Sequence, residues 1–409
     1  MAVEFAVPLV LYLLAVAVFA QGTSEFMLSG LIPDIARDLR VSIPAAGHLT
    51  SAFAVGMVVG APLMAVASMR WSRRRALLAF LLVFLLVHVV GALTTSYGVL
   101  LATRIVAALA NAGFLAVALA TATSLVEPRA KGRATSILLG GITLACVVGV
   151  PGGAVLGQLW GWRSAFWAVA LLSVPAVLAV VTAVPAGEPS AGAGGVRGEL
   201  GALRHPRLMV TLLLGALVNG ATFCAFTYLA PLVTDVTALG SVWVPAVLAL
   251  FGLGSFIGVT VAGRFADLRP LPLLAVGGAA LLGGWVVFAL WAHHLVTALI
   301  LVFLQGALSF AVGSTIISQV FYAAPAAPTL AGAYATASFN VGAALGPWLG
   351  GVTIGAGFGY RSPLWMSALL VALALLVAGG AFTRLSDTAG RVRRPPQVRS
   401  YTGVMRRRH

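Results

Sequence analysis

Acidic residues are scarce in this chain. Ten Asp and Glu stand against 25 Lys and Arg in 409 residues. Charged residues of both signs make up 9%, where soluble domains carry about 25%. That excludes an ordinary water-soluble globule and a disordered chain. Cysteine is nearly absent too. Cys146 and Cys224 lie in apolar runs, with no CxxC and no metal-ligand spacing, which excludes a disulfide scaffold and a cysteine zinc site. There is no Gly-rich phosphate loop with its Lys, no HExxH and no GxSxG; no cofactor is expected, and neither a nucleotide-driven nor a hydrolytic mechanism has its motif. What remains is apolar: 60% hydrophobic residues at a mean hydropathy of +1.04.

A helix needs about 20 apolar residues to cross the ~30 Å hydrocarbon core. Twelve segments meet that requirement, at 8–33, 45–68, 76–95, 98–124, 134–159, 163–184, 207–233, 242–262, 272–292, 295–320, 331–354 and 362–384. The fold class expected is an all-α membrane protein. The 47 Gly suit it, because small residues let membrane helices approach closely. The first segment is not read as a signal peptide: it has no preceding Lys or Arg, and its apolar stretch resumes after Glu25.

The net charge of +15 and the pI near 11.3 then have a different meaning from nucleic-acid binding. If the N-terminus is cytoplasmic, twenty basic residues fall in cytoplasmic loops and the tail, among them Arg73 to Arg75, Lys131, Arg264 and Arg406 to Arg408. Four, Arg37, Arg40, Arg163 and Arg361, fall outside, and Arg104 lies inside a span. Such an asymmetry orients a multi-pass protein of the plasma membrane with both termini in the cytoplasm. Its partner is the lipid bilayer, and no nucleic acid is expected.

The halves superpose at a constant shift of 198. Gly161-Trp162-Arg163-Ser164 falls on Gly359-Tyr360-Arg361-Ser362, Gly56 and Gly60 on Gly254 and Gly258, and Gly22, Leu31 and Pro33 on Gly220, Leu229 and Pro231. Six spans per half give the halves one orientation, hence a parallel repeat with a site at its interface near the midplane. The expected domains are a six-helix bundle at 1–184, a cytoplasmic linker at 185–206 rich in Pro, Gly and charge, a second bundle at 207–384 and a basic tail at 385–409.

These features resemble the major facilitator superfamily, and within it the twelve-helix drug:proton antiporters. The loop after the second span is a degraded G-x-x-x-D-R-x-G-R-R, with Arg70, Arg73 and Arg74 but neither acid nor glycines; its repeat keeps Gly263 and Asp267. Arg104, Asn111 and Gly113 match the family's arginine motif, and Gly149, Pro151, Gly152 and Gly153 its antiporter motif, with the order G-V-P-G-G. The strings LYLLAVAVFAQGTSEFMLSGL and QGALSFAVGST are similar to actinobacterial chloramphenicol-resistance exporters. The resemblance implies a monomeric, proton-coupled exporter of small-molecule drugs, chloramphenicol among them. It also implies conformational roles for Gly149, Pro151, Gly152, Gly153, Gly263 and Asp267.

The residues themselves point to where a proton would be handled. Of the ten acids, Glu25 alone lies deep in a span. A charged residue there costs roughly 2.5–3.5 kcal/mol on insertion scales, which suits a carboxyl that takes up and releases a proton each cycle. Arg104 is the lone deep base. Both lie ~9–12 Å below the outer edge at 1.5 Å per residue, so Arg104 is expected to act on the charge of Glu25, through Gln21 or water. Asp34, at the outer end of the same segment, is a second candidate proton carrier. Asn219, Phe223 and Phe226 share a helical face, and with Gln21, Asn111, Gln305 and Asn340 they are candidate substrate contacts, Asn219 foremost. His88 reads as packing, and His293 with His294 as no metal site. The chain does not read as an enzyme, because no catalytic pair is available. An exporter of sugars or other metabolites, and a non-transporting sensor or scaffold, remain the alternatives.

Overall fold

The computed structural model describes residues 9–68, 71–127, 131–184, 200–265, 270–324 and 330–392. Asp267, Arg70, most of the 185–206 linker and the tail beyond Val392 lie outside the described residues. Among the described residues, twelve helices are long and apolar enough to span a membrane. They are α1 (Leu9–Phe26), α2 (Ile43–Ser68), α3 (Arg73–Leu93), α4 (Tyr97–Ser124), α5 (Lys131–Leu144, continued by Ala145–Gly149 and Val150–Trp160), α6 (Arg163–Ala183), α7 (Pro206–Thr227), α8 (Val244–Phe265), α9 (Pro270–Trp291), α10 (Leu295–Ala323), α11 (Ala331–Thr353) and α12 (Ser362–Val392). Helix is the outcome that a bilayer enforces, since each backbone polar group must find its partner within the segment.

Helices α1, α7 and α5 depart from simple continuous spans, and α11 ends in a π-helical turn at Ile354–Phe358. The expected first span, 8–33, is two helices: α1 stops at Phe26, and Leu28–Asp38 follows a one-residue turn at Met27. Its repeat α7 breaks at Tyr228 before Leu229–Asp235. There the cause is Pro231, which has no N–H to offer the Thr227 carbonyl. In α1 side chains take over the freed carbonyls. Ser29 Oγ donates to Phe26 O at 2.9 Å, and Arg104 Nη2 donates to Ser24 O at 2.7 Å. In α5, one turn of wider π-helix occupies Ala145–Gly149 in mid-span.

Glycine decides how closely the helices pack, and it does so twice in the same way. Gly56 and Gly60 of α2 lie against Ile105 and Leu109 of α4; Gly254 and Gly258 of α8 lie against Phe303 and Ala307 of α10. Every residue of the second set stands 198 positions after its counterpart. Gly161 and Gly359, an equivalent pair, both have positive φ, 82° and 72°. The two six-helix bundles are therefore built alike down to individual contacts. A Cβ on Gly258 would overlap the Ala307 carbonyl, so Gly258→Val is expected to cost ~3 kcal/mol or more. A lower yield of monodisperse protein and a lower melting temperature in detergent would report it.

Packing between the halves runs chiefly through α2 with α11 and α8 with the middle and later turns of α5. Leu28–Asp38 contacts α7, its continuation Leu229–Asp235, and α8. Gln158 Nε2 donates to Ser241 O at 2.6 Å, and Gly351 lies beside Pro44. In the middle Ala54 packs with Phe223 and Ala343. Helix α1 packs mainly on its own half, and the Lys131–Leu144 part of α5 follows α1 and α4 while its later turns follow α8.

Candidate functional site

Arg104 is 1% exposed in α4, and its guanidinium fork reaches the last turn of α1. Nη1 donates to Ser24 Oγ at 2.8 Å and Nη2 to Ser24 O at 2.7 Å. A cation at a helix C-terminus is favoured by the helix dipole, and here it also satisfies a carbonyl orphaned by the break. The guanidinium carbon sits 4.5 Å from the centre of the Phe53 ring, a second source of attraction.

Ser24 carries the contact on to α3. Its Oγ lies 2.6 Å from His88 Nε2, and His88 Nδ1 lies 2.6 Å from Phe84 O. A carbonyl only accepts, so Nδ1 holds the ring proton, and the neutral ring's Nε2 accepts from the Ser24 hydroxyl. A directed chain results, from Arg104 to Ser24 to His88 to the Phe84 carbonyl, across α4, α1 and α3. The His88 ring is packed by Phe84 and Phe166, with centroids 4.1 and 5.8 Å away. His88, read from the sequence as packing alone, is thus part of the polar network. Its partners are 64 and 4 positions away, and only the four-residue separation is visible to a helical pattern.

Glu25 follows Ser24 directly. Among the described residues it makes no hydrogen bond and no ion pair. Arg104 engages the neighbouring serine instead, its fork taking the Ser24 hydroxyl and carbonyl together. The two charges still act on each other electrostatically. Gln21 does not bridge them: both its amide atoms are buried with no partner. Cys146 stands in the π-helical turn. That turn packs on α1 and on α8 of the other half, with Gly22 beside Ala145 and Gly252 beside the Cys146 carbonyl. The antiporter-motif glycines divide in two: Gly149 lies against Thr23 and Gly153 against Met27, while Gly152 faces open space. Pro151 is buried at the start of the next turn. Gly263 also faces open space.

Aromatic side chains cross from one half to the other. Phe26 contacts Phe223 at 5.7 Å, Phe223 contacts Phe226 at 6.4 Å, Phe226 contacts Phe251 at 4.7 Å, and Phe251 contacts Phe310 at 6.4 Å. Phe223 and Phe226 were expected here; Phe26, Phe251 and Phe310 carry no sequence signal that separates them from other apolar residues. The candidate amides have structural partners. Asn219 Nδ2 donates to Phe339 O at 2.7 Å, Gln305 Nε2 to Leu281 O at 3.1 Å, Asn340 Nδ2 to Thr336 O at 2.9 Å, and Asn111 Nδ2 lies 3.5 Å from Met57 Sδ. Gln21 differs in having both ends of its amide buried without a partner among the described residues. Among the described residues no group of His, Cys, Asp and Glu could hold a metal ion.

Asp34 stands apart from this network. It pairs with Arg37 at 3.1 Å in the wall of a cavity of about 1200 Å³ between the halves, which Asp38, Arg163 and Asp235 also line. Asp38 accepts from Arg163 Nη1 at 2.5 Å and Trp162 Nε1 at 3.1 Å. These two bonds, Arg163 first, hold its carboxyl below the ordinary carboxylate range. A depressed value in the fold means that the pair stabilises above the unfolded pKa, ~3.9, and that this is lost as pH falls through the folded value. Asp38→Asn is expected to cost about 0.5–1 kcal/mol at pH 7, given that both partners are partly exposed. The difference in melting temperature should narrow as the pH falls below ~3.9 and on through the lowered value of the folded carboxyl.

Comparison with known proteins agrees with this architecture. Residues 14–338 match the Major Facilitator Superfamily. The chain is 59% identical over 374 residues to a chloramphenicol resistance protein of Streptomyces lividans, covering 91% of this chain and 95% of that one. It is 36% identical to the inner membrane transport protein YdhP of Escherichia coli K12, over 89% of this chain and 93% of that one. Its fold is similar to the crystal structure of a bacterial homologue of the human lysosomal transporter Spinster in an inward-facing, occupied conformation, with a TM-score of 0.74 at 18% identity over 95% of this chain and 98% of that one. With twelve apolar helices in two matching bundles and a family match across most of its length, this chain belongs to the Major Facilitator Superfamily and is a multi-pass membrane transporter.

Proposed function

We propose that this transporter exports chloramphenicol and similar small uncharged drugs in exchange for protons, and so confers resistance. The observation that carries the reading is the 59% identity, nearly end to end, to a chloramphenicol resistance protein. The proton arm rests on Glu25, the sole acid within the twelve described spans, left without a hydrogen-bonding partner next to the Ser24 that Arg104 and His88 hold. Protonation removes a charge from the point where α1, the π-helical turn of α5 and α8 come together. That change biases how the two halves, 1–184 and 207–384, sit on each other. The aromatic series from Phe26 to Phe310 forms the apolar wall for the drug. Gln21 supplies a polar contact, and Asn219, Asn111, Gln305 and Asn340 shape the wall through the helices they tie together. Asp34 serves the outer cavity, as a second stop for the proton.

Both termini are cytoplasmic in this reading, from the distribution of Arg and Lys. The end carrying Asp34 and Asp38 is then extracellular, and the cavity between the halves there faces outward. The transporter works as a monomer. The test is chloramphenicol accumulation and growth in cells with and without the gene. Lower accumulation that returns to control when the proton gradient is collapsed is the expected result. Equal accumulation with and without the gene removes the substrate; lower accumulation that survives collapse of the gradient removes the proton.

A further inference from the structure

The repeat exposes an arginine whose twin is paired while it is not. Arg163 donates to Asp38 at 2.5 Å and to Thr94 O at 2.9 Å, and lies over the Trp162 ring. Its counterpart, 198 positions on, is Arg361. The counterpart of Asp38 is Val236, so the acid is missing in the second half. The counterpart of Thr94 is Ala292, whose carbonyl already accepts from Thr237 Oγ1 at 2.8 Å. The Arg361 guanidinium makes no hydrogen bond and no ion pair with any described residue, while its carbonyl accepts from Leu364 N and Trp365 N. An unpaired guanidinium retains five donors in a fork that matches a phosphate.

Arg361 borders a groove of about 490 Å³ whose other walls include Phe358, Trp365, Met366 and Leu369. Phe358 is 72% exposed and Leu369 61%. The groove has a direction relative to the membrane. Arg361 stands one residue before the span Ser362–Ala381, at headgroup level, and Leu369 lies ~12 Å further along the helix axis, in hydrocarbon. A cation at the top of an apolar channel that runs down the bilayer complements an ion with an acyl chain attached. A water-soluble anion would account for the arginine and leave the channel unexplained.

We infer that Arg361 and this groove bind an anionic phospholipid, with its phosphate on the guanidinium and an acyl chain along Trp365, Met366 and Leu369. The paired arginine of the first half makes no such site, because Asp38 already occupies it. The inference depends on neither the drug nor the proton.

The test uses the full chain in phosphatidylcholine vesicles containing a phosphatidylglycerol with a diazirine in its acyl chain. Cross-links are mapped by peptide mass spectrometry. In the wild type, label is expected on residues 358–369, and Arg361→Gln should reduce it about tenfold, the effect of losing one charge-assisted hydrogen-bonded contact. Arg361→Lys should keep part of it. Label at the basic opposite end, near Arg73 to Arg75, should be unchanged in every variant, which also reports that each is folded. Equal labelling of residues 358–369 in wild type and Arg361→Gln would overturn the site. So would equal labelling there by a diazirine phosphatidylcholine, which would show an acyl groove without headgroup recognition.

Discussion

Glu25→Gln is expected to return chloramphenicol accumulation to that of cells without the transporter. Gln has nearly the shape of protonated Glu, so packing around α1 should be retained and the protein should express. What it loses is the ability to exchange a proton. Inward movement of one charge supplies ~2.3 kcal/mol per 100 mV, which corresponds to about a 50-fold concentration ratio per 100 mV. Removing the coupled proton removes that ratio. Downhill equilibration of drug can persist, so steady-state accumulation in energised cells is the measurement, rather than initial binding. Undiminished export in Glu25→Gln would take the proton away from Glu25, and the same experiment on Asp34→Asn would then decide whether the outer cavity carries it.

The second large effect belongs to Arg104. Arg104→Ala removes two hydrogen bonds from a cation and leaves both the Ser24 carbonyl and the His88 chain without their donor. A charge-assisted hydrogen bond contributes about 1.5–3 kcal/mol, so the variant is expected to lose roughly 3 kcal/mol or more, read as poor yield and a lower melting temperature. Arg104→Lys keeps the charge, but one ammonium cannot reproduce the fork that reaches Ser24 Oγ and Ser24 O together; an intermediate loss is expected. His88→Ala deprives the Ser24 hydroxyl of its acceptor, a smaller cost of about 1–3 kcal/mol. Because Ser24 links the two residues, the losses in the double variant should not add. Additive losses would show that Arg104 and His88 act independently, and an Arg104→Lys protein indistinguishable from wild type would show that the fork has no role.

Hydropathy located all twelve spans, and the shift of 198 anticipated contacts between helices. The glycines that align in sequence, Gly56 with Gly254 and Gly60 with Gly258, meet equivalent neighbours in space. Composition also singled out Glu25 and Arg104, because a charge among apolar residues is conspicuous in one dimension. It could not say what each one touches. Arg104 does not reach Glu25 through Gln21; its fork holds Ser24, 80 positions away. The turn at Met27 was hidden for the same reason. The carbonyls it frees are satisfied in part by a side chain from α4, and an apolar window of residues 8–33 looks continuous whether or not that partner exists. His88 was underrated because a lone histidine in an apolar helix has no partner within reach of its own pattern.

The sequence by itself determined the membrane setting, the number of helices, the twofold repeat and the one acid and one base deep within the spans. These follow from local quantities: transfer free energy summed over about 20 residues, charge on either side of a span, and identity at a fixed offset. Only the tertiary structure decided that Glu25 stands unpaired beside a serine held by Arg104 and His88, and that α5 widens into a π-helical turn there. It alone decided which helices pack across the halves, and that the Arg361 guanidinium finds no partner among the described residues. Each of these depends on side chains far apart in the chain meeting at hydrogen-bonding distance, and such meetings are set by how whole helices pack.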